Sequence, residues 1–206
     1  ADLDALWQVL RDGVDCITEV PASRWNHARF FDPTKDRRGQ CYSRWGGFLD
    51  DVAMFDARFF GIAPRDAQMI DPQERLFLET AWNTLEDAGY TRAALRACTV
   101  GVYVGMMYAQ YSTFGAEEMI RGNPLVPGAP YASVANRVSY FLDLSGPSLA
   151  VDTMCSSALT AIHLACEAIT RGEIDYAIAG GVNLSLHPSK YVQLCQSNFL
   201  STDGRR

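Results

Sequence analysis

Leu3, Leu6, Trp7 and Leu10 recur three and four residues apart and the pattern stops at Gly13, which predicts a short amphipathic helix that caps another element. Further on, residues 37–40, the pair Gly46 and Gly47, and Phe48, Phe55, Phe59 and Phe60 suggest loops around short strands. A longer helix is expected over residues 71–89, with Asp71 as N-cap, Pro72 as first helical residue, Glu74 as capping-box acid and Gly89 as left-handed stop. Its stripe of Leu78, Ala81, Trp82 and Leu85 would face a core, and Val100, Val102 and Val104 then alternate as in a strand. The uncharged residues 99–116 read as buried strand and bend. After a loop holding Pro124, Pro127 and Pro130, residues 131–142 read as a helix that Gly146-Pro147 breaks.

The most informative stretch follows. Residues 148–152 are strand-like, 156–171 helical with Gly172 as stop, and 175–182 strand-like again, which makes a βαβ unit with its crossover helix. The helix carries Ala158, Leu159, Ala161, Ile162, Leu164, Ala165, Ala168 and Ile169. At ~100° per residue these cover nearly the whole circumference, so the helix is expected to be buried on all sides.

Composition narrows the class. A chain of 206 residues favours one core, and 48% hydrophobic with 20% charged residues excludes disorder, collagen and coiled coil. The formal charge of -6 and the lack of a Lys/Arg block argue against nucleic acid as a partner. No run calls for a membrane span, and residues 1–10, with Asp2 and Asp4, do not resemble a secretory signal, so a cytoplasmic protein is expected. Six cysteines, at 16, 41, 98, 155, 166 and 195, are never two or three residues apart. That spacing provides neither a zinc site nor a C-x-x-C pair, and most are expected to be buried thiols.

Cys155 is the exception by position, because it lies where the strand of the βαβ unit ends and the apolar helix begins. The first turn of a helix presents unpaired N–H groups and a partial positive charge, which favours an anion such as a thiolate. Residue chemistry leaves two readings open, a nucleophile and a small buried hydrophobe. No base is evident. His163 is eight residues further along the same helix, hence ~12 Å up its axis, and His27 and His187 read as loop residues. Asp152 has the place of a turn or capping aspartate.

Residues Asp152-Thr153-Met154-Cys155-Ser156-Ser157-Ala158-Leu159 resemble the active-site motif of β-ketoacyl synthases, the ketosynthase domains of bacterial modular type I polyketide synthases. Further blocks resemble the family in the same order: Asp71-Pro72-Gln73-Glu74-Arg75 with Leu78-Glu79, Ala88-Gly89-Tyr90, Ala135-Asn136-Arg137-Val138-Ser139-Tyr140, Gly146-Pro147-Ser148 and Ala179-Gly180-Gly181-Val182-Asn183. The residues at 186–191 are similar to those of assembly lines served by free-standing acyltransferases. Together the blocks span nearly the whole chain.

The resemblance implies an α/β, thiolase-like fold, layered α/β/α/β/α in the full domain, with residues 1–206 as its N-terminal half and Cys155 at the start of a buried helix. It implies an acyltransferase. Cys155 would take an acyl chain from the 4′-phosphopantetheine of an acyl carrier protein, and a malonyl-type thioester would then condense with it by decarboxylative Claisen reaction. The backbone N–H of Cys155 would be one oxyanion donor. No cofactor or metal bound to the chain itself is implied, and the full-length enzyme would be a homodimer. Met154 stands where many relatives have alanine, and its thioether would shape the acyl pocket or fill a core gap. The family's two catalytic histidines and supporting lysine match no residue here, so the chain is expected to be a fragment that is inactive alone, with an uncovered apolar patch. Two alternatives stand beside this: a non-elongating ketosynthase that only passes chains on, and, more remotely, a cysteine hydrolase, against which residues 150–157 lack the glycines of a nucleophile elbow. A pure binding module would need no activated thiol.

Overall fold

The computed structural model describes residues 3–35, 37–123, 127–128 and 130–204. Asp2 of the chain start and Pro124 of the proline-bearing loop lie outside them. In chain order the elements are α1 (Leu3–Asp12), β1 (Ile17–Glu19), a 3-10 turn (His27–Arg29), β2 (Trp45–Gly47), α2 (Pro64–Ala67), α3 (Pro72–Asp87), α4 (Arg92–Leu95) and β3 (Val100–Gly105). They continue with α5 (Tyr111–Ile120), α6 (Ser133–Leu142), β4 (Ser148–Val151), α7 (Ser157–Thr170), β5 (Tyr176–Gly181) and α8 (Pro188–Gln196). The chain forms two compact units, Asp51–Leu186 on the one hand and Ala1–Asp50 with His187–Arg206 on the other, rather than the single core that its length favours.

In the unit Asp51–Leu186, β3 is the middle strand of a parallel sheet of order β4-β3-β5. The βαβ unit is present, but β4 and β5 are not neighbours, because α7 carries the chain across β3. Every residue of β3 is buried, since helices cover both sides of it. Val100, Val102 and Val104 join Phe77, Leu78, Ala81 and Leu85 of α3 and Val134, Ala135, Val138 and Leu142 of α6 in one cluster. Tyr103 points the other way, to Ala161, Ala165 and Ala168 of α7. Burying a side chain such as Leu78 contributes roughly 1.5–3 kcal/mol, and an aromatic group of Phe59, Phe60, Trp82 and Phe141 closes the far end.

Asp71 caps α3 as its sequence context predicts, accepting from the Gln73 N–H at 2.8 Å, and Pro72 and the left-handed Gly89 take their expected places. Glu74 does not close a capping box. Its carboxylate turns to α6, accepting from Ser133 Oγ at 2.7 Å and Arg137 Nε at 3.0 Å. Two further expectations are corrected. Residues 111–120, read as strand and bend, form the helix α5. On α7, only Ser157, Ala161, Ala165 and Ala168 are buried, while Leu159, Ile162, Leu164 and Ile169 are exposed. The sheet covers one face of the helix and no described residue covers the other, so apolar side chains all round the circumference give one packed face and one bare one.

In the other unit, β1 and β2 pair antiparallel, with Thr18 opposite Gly46. Val20, Cys41, Tyr42, Tyr191 and Cys195 form its core, and Tyr191 Oη donates to the Trp45 carbonyl at 3.0 Å. His187, read from sequence as a loop residue, caps α8 by accepting from the Ser189 N–H through Nδ1 at 3.2 Å. The apolar face of α1 is exposed and caps nothing among the described residues. The thiols also differ from expectation: Cys41 and Cys195 are buried and Cys98 is half-buried, but Cys16, Cys155 and Cys166 are exposed. Among the described residues no helix is long and apolar enough to cross a membrane.

Candidate active site

The carboxyl ends of three parallel strands, Gly105, Val151 and Gly181, lie side by side, and the turn after Val151 brings the chain into α7. In open α/β sheets this edge is where ligands bind. Cys155 sits in that turn with its side group exposed. It stands just before Ser156, the N-cap of α7, so the helix starts one residue later than the sequence predicts and Cys155 keeps its place at the strand-to-helix junction.

The turn is held by its own side chains. Asp152 Oδ1 accepts from the Met154 N–H at 3.0 Å, an Asx-turn and not a contact to the thiol. Ser157 Oγ accepts from the Thr153 N–H at 2.9 Å and donates to the Met154 carbonyl at 2.6 Å. Ser156 Oγ donates to the Thr153 carbonyl at 2.8 Å, and Thr153 Oγ1 lies 3.0 Å from Thr160 Oγ1 on the next turn of α7. Met154 has φ of 60°, a left-handed conformation that an unbranched side chain tolerates at some strain. That reversal lets the chain leave the strand and enter the helix within five residues. The Met154 side chain is mostly exposed, so it fills no core gap in this unit.

Glycines set the depth at which α7 seats. A Cβ on Gly105 would come within 2.5 Å of the Ala158 nitrogen and 2.7 Å of its Cα, and one on Gly181 within 2.7 Å of the Ala158 Cβ. The first turn of the helix therefore rests on bare strand backbone. Gly105→Ala is expected to destabilise the intact protein by about 1–3 kcal/mol, because backbone atoms cannot rotate away as a side chain could. Urea unfolding of the variant measures it, and an unchanged midpoint would mean that α7 moves freely off the strand end.

A second support was not legible in the sequence. Gln73 is buried, and its amide spans two loops that leave this edge: Nε2 donates to the Tyr108 carbonyl at 2.7 Å and Oε1 accepts from the Leu184 N–H at 2.9 Å. One side chain at the start of α3 thus ties the loop after β3 to the loop after β5. His163 lies on α7 two turns beyond the thiol, on the exposed face, and is not brought to Cys155. An apolar cavity of about 380 Å³ between α3 and β5 lies across the sheet from α7 and is lined by Phe77, Ala81, Leu85 and Ile178, without Cys155. Among the described residues no cluster of His, Cys, Asp or Glu is arranged to hold a metal ion.

The profile of the β-ketoacyl synthase N-terminal domain family matches residues 1–206. The chain belongs to this family. It is 59% identical over 204 residues to polyketide synthase ThaG of Burkholderia thailandensis and 54% identical over 211 residues to polyketide synthase PksL of Bacillus subtilis, in each case over 99% of this chain. The chain spans only 4% and 5% of the length of those two relatives. The oxazolomycin ketosynthase domain OzmH KS7 of Streptomyces albus superposes with a TM-score of 0.96 at 56% identity, over 99% of this chain and 35% of that one. The ketosynthase from module 6 of the Bacillus subtilis bacillaene synthase superposes at 0.86 with 38% identity, over 97% of this chain and 33% of that one. The fold is thus the thiolase-like fold of ketosynthases, in its N-terminal part.

Proposed function

We propose that this chain supplies the acyl-accepting thiol of a polyketide ketosynthase and that the thiol is Cys155. One observation carries the reading: in a member of this family, an exposed cysteine stands in a braced turn at the carboxyl edge of a parallel sheet, against a helix N-terminus. The Cys155 sulfur attacks the carbonyl carbon of an acyl thioester presented on the 4′-phosphopantetheine of an acyl carrier protein. The new C–S bond forms as the carrier thiol leaves with a proton. The Cys155 N–H faces the developing oxyanion as one of its donors, and Met154 borders the acyl chain.

In the second half-reaction a malonyl-type thioester loses carbon dioxide, its enolate carbon attacks the Cys155 thioester, and the thiolate departs from a β-ketoacyl product. His163 is too far along α7 to assist, so the groups that polarise the malonyl thioester are to be sought outside unit Asp51–Leu186. The parent enzyme acts as a cytoplasmic homodimer. Support for a partner comes from β4, an edge strand among the described residues, which leaves Leu149 exposed.

The parent ketosynthase, incubated with an acyl thioester and a malonyl-loaded carrier protein, is expected to release carbon dioxide and a β-ketoacyl chain two carbons longer, read by mass spectrometry. Acylation of Cys155 without elongation would replace this reading by that of a chain-passing ketosynthase, and hydrolysis of the thioester to free acid by that of a hydrolase.

A further inference from the structure

Two thiols outside the candidate active site lie together in the unit formed by Ala1–Asp50 and His187–Arg206. The sulfurs of Cys41 and Cys195 are 2.7 Å apart, and both residues are buried. Unbonded sulfur atoms in mere contact lie farther apart than this, and a disulfide needs ~2.05 Å between them, so little movement separates the dithiol from the bonded pair. Tyr191 and Val20 pack around them. On one side the site is open: Cys195 lines a cavity of about 460 Å³ together with Thr34, Arg37, Arg38 and Gln40, wide enough for a small oxidant.

We propose that Cys41 and Cys195 are a redox modification site, a dithiol that a hydroperoxide converts reversibly into a disulfide. Cys195 is the attacking sulfur, for it is the one that lines the cavity. Its neighbour also favours it: hydrogen bonding with Cys41 brings the Cys195 thiol down to about 7, while the same contact and burial push Cys41 up. The Cys195 thiolate attacks one peroxide oxygen, the O–O bond breaks, and hydroxide (or alkoxide) leaves as a sulfenic acid forms. The Cys41 sulfur then attacks the sulfenic sulfur, the S–O bond breaks, and the departing hydroxide takes the Cys41 proton as water. Two electrons pass from the two sulfurs to the peroxide, and a dithiol reductant reverses the change.

The test uses the intact parent protein with Cys155→Ala, so that the exposed active-site thiol does not compete. It is treated with hydrogen peroxide, alkylated, digested without reduction and mapped by mass spectrometry. The expected result is a linked peptide pair holding Cys41 and Cys195, lighter by two hydrogens than the sum of its parts and lost on treatment with dithiothreitol, while the exposed Cys16 and Cys166 stay unlinked. Separate sulfonic acids at the two positions, a link to any other cysteine, or two thiols still free after Cys16 has oxidised would each overturn the proposal. In Cys41→Ala, dimedone labelling of Cys195 is expected to rise several-fold, because the sulfenic acid has lost its partner. An unchanged yield in a folded variant counts against it, and if the variant does not fold the peptide map decides alone.

Discussion

Cys155→Ala is expected to lower acyl transfer from a carrier-bound thioester by at least ~10³-fold in the intact enzyme, the scale on which loss of a covalent nucleophile registers. Intact-mass spectrometry should show no acyl adduct under conditions that load the wild type fully. Cys166, the other exposed thiol of the same unit, does not substitute, because it is eleven residues further along the chain, about 16 Å up the axis of α7. The variant should fold normally, since the side chain is exposed and an exposed substitution usually changes stability by no more than ~0.5 kcal/mol. Loss of loading therefore reports chemistry. A Cys155→Ala enzyme that still gains the acyl mass at the wild-type rate would remove Cys155 from the reaction.

Glu74→Ala is expected to cost about 3–5 kcal/mol of stability, because it removes the partner of a largely buried cation. The Glu74 side chain is 1% exposed and that of Arg137 29%, at 3.0 Å. Truncation strands the guanidinium and Ser133 Oγ and leaves a cavity between α3 and α6. Glu74→Gln keeps an acceptor and should lose less. Burial raises the Glu74 carboxyl above its usual range, and the bonds from Ser133 and Arg137 only partly offset this. The folded state thus holds the proton more tightly than the unfolded chain does. The stability this contributes is fully present below the ordinary glutamate range and is lost as pH rises through the raised value. Melting curves at pH 4 and pH 7 should show wild type gaining on Glu74→Gln at the lower pH. A Glu74→Ala protein melting within about 2 °C of wild type would sink the argument, given how far even 1 kcal/mol moves Tm.

What could be read beforehand depended on how local the signal was. The β4-α7-β5 unit, the Asp71 cap and the Gly89 stop were legible because each rests on residues adjacent in the chain. The helix α5 was hidden by Gly115 in its middle and by Gln110, whose side chain makes no cap bond. On α7 the apolar positions were right but the burial was not, since periodicity reports which faces are oily and says nothing of what meets them. At the site, Cys155 stood out by its motif and its turn is braced by adjacent side chains, whereas the supports beneath the turn are distant in sequence. Gln73 reaches Leu184 across 111 residues, and the need for Gly105 and Gly181 appears only once Ala158 is set against them.

The unit that contains Cys41 and Cys195 is assembled from both ends of the chain, with all of Asp51–Leu186 between them. On a ribosome, its first fifty residues emerge long before α8 exists, and Val20 and Tyr42 must wait for Tyr191. The intervening unit is continuous, and its three described strands are all out once β5 has emerged. Closing so long a loop is far easier when the loop has already condensed. Folding during synthesis is thus expected to begin in the middle segment, and pulse proteolysis of nascent chains should find protection at Leu78 and Val102 before any at Tyr42.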